Sequence, residues 1–98
     1  MPDRAVSIPA AGFAGPVKRS VTIAGHQTSI SLEPVFWSAL EAAAGDRGLP
    51  LNALVARVDA LRVAAHRKGY APPNLASALR TWLFTERVGA AAGEESAR

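Results

Sequence analysis

From Val17 to Leu32 the chain alternates polar and apolar positions with a period of two: VKRSVTI, then AGHQ, then TSISL, rich in β-branched residues. That period predicts two strands, and Gly25 supplies a tight turn between them. With Gly25 and His26 as the turn residues, Ile23 faces Thr28, Thr22 faces Ser29, Val21 faces Ile30 and Ser20 faces Ser31. One face of the hairpin then carries Lys18, Ser20, Thr22, Gln27, Ser29 and Ser31. The other carries Val17, Val21, Ile23, Ile30 and Leu32, with Arg19 and Thr28 as polar exceptions.

Downstream the period changes to that of a helix. Pro34 suits a first helical position, and a helix A is expected from it to a stop at Gly48, with Phe36, Leu40 and Ala43 or Ala44 on its buried stripe. Leu51, Leu54, Val55, Val58, Leu61 and Ala65 define a helix B from Leu51 to Lys68, ended by Gly69. Pro72 and Pro73 forbid continuation and Asn74 is a good N-cap, so LASALRTWLFTERV forms a separate helix C with Leu75, Leu79, Trp82 and Leu83 on one side. Residues 1–16 and 89–98 lack periodicity and read as disordered tails, which leaves a domain over 17–88. The fold class is α+β, in the order β, β, α, α, α. No internal repeat or sustained heptad is visible.

Composition narrows the picture. A chain of 98 residues has room for one domain, and no cysteine is present to staple a small core or to bind zinc. No apolar run approaches the roughly 20 residues that span a bilayer, and MPDRAVSIPAAGFAGP lacks the continuous apolar stretch of a signal peptide. The expectation is a soluble, cytoplasmic protein without membrane contact. A net charge of +3 favours a polyanionic partner only weakly.

Candidate chemistry is sparse. His26 and His66 are distant in sequence and fit no metal-ligand spacing, and no cofactor is expected. Trp37 and Trp82 border apolar helical stripes, as packing residues do. Arg57, Arg62, Arg67 and Lys68 read as a solvated face of helix B, with Arg62 paired to Asp59. There is no nucleophile elbow, phosphate loop or paired-acid motif, so no enzyme is expected.

The segment TSISLEPVFWSALEAAAGDRGLPLNALVARVDALR resembles the ribbon-helix-helix fold of the MetJ/Arc class of repressors, chiefly through SISLEP, the Gly48-Leu49 turn and LNALV. The longer string KRSVTIAGHQTSISLEPVFWSAL, with the later NLASALR, is similar to a small bacterial subfamily with an added N-terminal strand and a C-terminal helix, and reaches from Val17 to about Arg87. The resemblance implies an intertwined two-fold homodimer in which each strand pairs with its mate above interlocked helices. It also implies a transcriptional regulator whose ribbon enters the major groove of double-stranded DNA. The positions matching the groove-reading side chains are Gln27, Ser29 and Ser31, all able to bond base edges. Lys18 and Arg19 are expected at phosphates. The family also holds a phosphate on the amides opening helix B, here Leu49-Pro50-Leu51-Asn52. Pro50 removes one N–H and the usual hydroxyl cap, leaving Asn52 as the contributor.

Two considerations bear on that implication. An isolated hairpin is marginal in water, and a monomer is expected to leave Ile30, Leu32 and much of helix B poorly covered, which a dimer would cure. However, pairing two hairpins makes a sheet of four strands, about 14 Å across, where the groove is about 12 Å wide. Either VKRSVTI peels away as a basic arm, or the sheet does not enter in the family manner. The alternative function is a dimeric module that binds a protein partner instead of DNA, including an antitoxin-like use of helix C with Trp82 and Phe84.

Overall fold

The structure, a computed structural model, describes residues 5–10, 12–66, 69 and 71–96, with side chains in the last helix as far as Gly89. A two-stranded antiparallel hairpin, β1 (Val17–Ile23) and β2 (His26–Leu32), is followed by α1 (Pro34–Asp46), α2 (Leu51–Ala65) and α3 (Leu75–Ser96). This is the α+β arrangement expected of the sequence.

The hairpin turns at Ala24 and Gly25, one residue earlier than the spacing predicted. Both have positive φ (51° and 80°), as a type I′ turn demands. The pairing is therefore Ile23↔His26, Thr22↔Gln27, Val21↔Thr28, Ser20↔Ser29, Arg19↔Ile30, Lys18↔Ser31 and Val17↔Leu32. Every residue of β1 has slipped by two along its partner relative to the expected register. A slip of two leaves each side chain on its own face, so the polar and apolar sets survive intact. The observed register ends flush at Leu32. The expected one would have set Val17 opposite Pro34, which has no N–H to donate.

α1 begins as expected at Pro34, after Glu33 in extended conformation (φ −60°, ψ 148°). It ends in a Schellman motif: Leu49 N–H donates to the Ala44 carbonyl (2.9 Å) and Gly48 N–H to that of Gly45 (3.0 Å), with Gly48 at φ 66°. Its buried residues are Trp37, Leu40 and Ala44, while Phe36 is only half-buried. Leu40 and Ala44 are thus buried as expected, and Trp37 takes the place expected of Phe36. α2 is shorter than expected, because His66 is already extended (ψ 149°); the remaining positions expected in helix B, Arg67 and Lys68, lie outside the described residues. Only its first half faces the core. Leu54, Val55 and Val58 are buried, whereas Leu61 and Ala65 are exposed.

α3 opens where expected. Asn74 caps it, its side-chain oxygen accepting from Ser77 N–H (2.8 Å). It continues to Ser96, past the expected end at Val88, so 89–96 is helical backbone where a structureless tail was foreseen. The run Ala90, Ala91, Ala92 has high helix propensity and no proline interrupts it. Residues 5–10 and 12–16 form no regular element and are exposed; residues 1–4, 11, 97 and 98 of the expected tails lie outside the described residues.

The apolar face of the hairpin lies on the helices. Val21, Ile30 and Leu32 join Trp37, Leu40, Ala44, Leu54, Val55, Val58, Leu79 and Leu83 in one core. α2 packs beneath β1, and α3 packs against β2, α1 and α2. For β2 and the first half of α2 this overturns the expectation that one chain leaves its apolar stripes bare, whereas Leu61 and Ala65 of the expected helix-B stripe do remain exposed. Ile30, Leu32, Leu54, Val55 and Val58 are all at most 3% exposed within a single chain. α3 supplies the cover: Leu79 and Leu83 are themselves buried, at 0% and 5%.

Candidate functional site

With one face of the hairpin against the helices, period-two geometry directs the other to solvent. Lys18, Ser20, Thr22, Gln27, Ser29 and Ser31 are all exposed, all can hydrogen-bond, and none is acidic. The register sets them in three cross-strand pairs, Lys18 with Ser31, Ser20 with Ser29 and Thr22 with Gln27. In a two-residue hairpin the pair flanking the turn exchanges both backbone bonds, so these three are the alternate, non-hydrogen-bonded pairs, whose side chains stand closest together. The sequence-predicted Lys18, Gln27, Ser29 and Ser31 therefore share one surface. Ser20 and Thr22 complete it; the alternation that put them on this face was the signal for them, although no role was assigned.

Arg19 is elsewhere. It lies on the helix side of β1, with its guanidinium carbon 4.7 Å from the centre of the Trp37 ring and Nη2 3.3 Å from Glu41 Oε2. Trp37 in turn donates its indole N–H to the Val17 carbonyl (2.9 Å). The two β1 cations have thus separated, Lys18 to the outward face and Arg19 to a clasp on α1.

Asn52 is exposed on the first turn of α2, in the helical layer, apart from the outward sheet face. Pro50 occupies the N-cap without a side-chain cap bond. Its carbonyl accepts from Ala53 and Leu54 N–H (3.1 and 3.2 Å), so the amides of Leu51 and Asn52 are the free donors of this turn.

The remaining polar groups brace the fold. Arg62 grips Asp59 (2.8 Å) and donates to the Pro73 carbonyl (2.9 Å), so the expected helix-B ion pair forms and also holds the approach to α3. Arg80 of α3 reaches Glu33 at the strand-to-helix junction (3.0 Å). The Glu33 carboxyl is held below its ordinary pKa first by its own backbone N–H and then by Arg80. Arg47 covers the half-buried Trp82 at 5.1 Å and pairs with Glu86 (2.7 Å). His26 opens β2 opposite Ile23, and His66 follows α2. Among the described residues, no three His, Asp or Glu side chains gather as a metal site requires, and no helix is long and apolar enough to cross a membrane.

Residues 16–86 match the family model described as the ribbon-helix-helix domain. No curated protein and no solved structure matches the chain. The family match covers both strands, both following helices and the first half of α3, well over half the chain. Its members are generally DNA-binding regulators and typically not enzymes. By that match, and by a polar-faced ribbon set on amphipathic helices, this chain belongs to the ribbon-helix-helix domain family.

Proposed function

We propose that the protein is a DNA-binding transcriptional regulator that sets the outward face of its ribbon in the major groove and acts as a two-fold dimer on its operator. The observation that carries this reading is the outward face itself: six exposed hydrogen-bonding side chains without an acid among them. Gln27 suits a bidentate contact with adenine, and Ser29 and Ser31 meet base edges of either kind. Lys18 anchors a phosphate. Asn52 and the free amides of Leu51 and Asn52 receive another, at the positive end of the α2 dipole. Arg19 contributes positive potential at the ribbon's rim; its guanidinium is already engaged by Trp37 and Glu41.

A second reading draws on a different surface. Val35 and Phe84 are 64% and 69% exposed and line an apolar groove between α1 and α3 with Phe36, Ala39 and Leu83. Exposed apolar surface of this kind suits a protein partner, as in the antitoxin-like alternative. A mobility-shift assay of the chain on its own upstream DNA, run beside Phe84→Ser, separates the two. The DNA reading expects a shift that Phe84→Ser leaves unchanged. No shift, with a neighbour-encoded protein bound by the wild type and not by Phe84→Ser, selects the partner reading.

A further inference from the structure

Val35 and Phe84 stand exposed on the α1 and α3 walls of the apolar groove, over half-buried Ala39 and buried Leu83. Phe36 completes the α1 wall, and Arg87 lines the same groove from α3. Resting on the partner reading of this surface and not on the DNA reading, we propose that its occupant is an acid-bearing amphipathic helix of another protein. That helix sets large apolar side chains between Val35 and Phe84 and a carboxylate against Arg87.

Three observations lead there. The first is charge. Arg87 is exposed and makes no ion pair among the described residues, while the nearby acids are taken: Arg80 holds Glu33 at 3.0 Å and Arg47 holds Glu86 at 2.7 Å. Arg80 also lies over the Phe36 ring at 5.6 Å, so a second cation flanks the groove, and no acid lines it. An apolar occupant strips water from Arg87, and a carboxylate carried beside its apolar residues compensates that loss. The second is the apolar surface. Val35 and Phe84 are joined by Val88, one turn beyond Phe84 and 51% exposed. Large apolar side chains bared together mark a contact surface, as scattered ones do not. The third is the backbone. Both walls are helices, so the groove has no sheet edge to which an extended peptide could add as a strand. A helix satisfies its own backbone groups and meets such a groove with side chains alone.

The walls give the contact a size. Val35 to Ala39 and Leu83 to Arg87 are each one helical turn, about 6 Å. The contact therefore takes about two turns of the occupant, with apolar side chains at i and i+4 and the carboxylate one turn away, at Arg87. The outward face of the ribbon points away from the helices and stays open while the groove is filled.

The test is selection of helical peptides on the full chain. An alanine-based library randomised along one helical face is enriched on the wild type, and the binders are titrated by fluorescence anisotropy. Enriched sequences should combine large apolar residues at i and i+4 with Glu or Asp one turn away. Phe84→Ser and Arg87→Glu, each checked for an unchanged circular dichroism spectrum, should each weaken the best binder by about 10-fold or more. Replacing the acid of that peptide by lysine should restore binding to Arg87→Glu. Binders lost with Phe84→Ser but indifferent to Arg87→Glu would overturn the acidic occupant and leave the partner reading standing. No enrichment of any peptide would remove both. A Phe84→Ser chain that sediments as a smaller species than the wild type would show that a second copy covers the groove, and would also overturn the proposal. Duplex binding is read in its own assay, so the DNA reading stands or falls apart from these results.

Discussion

The indole N–H of Trp37 donates to the carbonyl of Val17 across 2.9 Å, tying the first residue of the hairpin to the first turns of α1. Trp37 is 4% exposed, and Arg19 lies over its ring. Trp37→Phe keeps a large ring but removes the donor, and should cost about 1 kcal/mol for the missing bond. Amide exchange in β1 should accelerate more than exchange in α2. Uniform change across the molecule would mean that the bond does not hold this strand in particular.

Ala24 bears a positive φ of 51° in a turn where glycine or asparagine is at ease. A side chain in this left-handed region costs about 1 kcal/mol. Ala24→Asn should therefore stabilise, raising Tm by about 4–8 °C if the full amount is recovered. A lower Tm would show that the turn is not of the type described.

α3 closes the core that a second copy was expected to close. Leu79→Ala should destabilise the chain by about 2–5 kcal/mol, since Leu79 is fully buried. Removing α3 altogether should abolish the cooperative thermal transition of the full-length protein at low micromolar concentration. An undiminished transition after its removal would show that α3 is dispensable.

Glu33 and Arg80 connect the strand-to-helix junction to α3 at 3.0 Å. Because the folded-state pKa of Glu33 lies below its ordinary value, the associated stability is present above that ordinary value, near 4.5, and is lost as pH falls through the lowered one. The wild type should therefore lose stability on acidification below about pH 4.5 more steeply than Glu33→Gln does. Parallel stability profiles would remove Glu33 from the acid response.

Period-two alternation marked the two faces of the hairpin, because side chains cannot change face without an odd slip. It could not fix the register: moving Val21 from Ile30 to Thr28 is an even slip and leaves the pattern unchanged. Helical spacing located α1 and its buried Leu40 and Ala44 but not the residue that opens the stripe, since Phe36 and Trp37 are adjacent apolar residues and only packing against Val17 and Arg19 selects Trp37. The stripe Leu54, Val55 and Val58 announced a buried face without saying what buries it. A spacing pattern has no term for Leu79 and Leu83 arriving from a later helix. Of the site, Gln27, Ser29 and Ser31 were marked by the family resemblance and Lys18 by its charge. Arg19 sat on the inner face by alternation alone, and its clasp on Trp37 depends on tertiary packing that the local pattern does not contain.

Site variants follow from the same surface. Gln27→Ala and Ser29→Ala should shift preference between duplexes by about 1–3 kcal/mol for each base no longer bonded, with melting unchanged. Asn52→Ala, at the phosphate end of α2, should weaken selected and scrambled duplexes alike. Preferences indifferent to all three would leave the polar face as a solvated surface.

Groove binding through the polar ribbon face is tested most sharply by the affinity of wild type and Lys18→Ala for one duplex across a series of salt concentrations, on a double logarithmic scale. A steep negative slope is expected for the wild type. For Lys18→Ala, weaker binding is expected, with a slope shallower by about one because one phosphate is no longer neutralised. A folded protein that binds no duplex at the lowest salt, or a Lys18→Ala slope identical to the wild type, would contradict groove binding by this face.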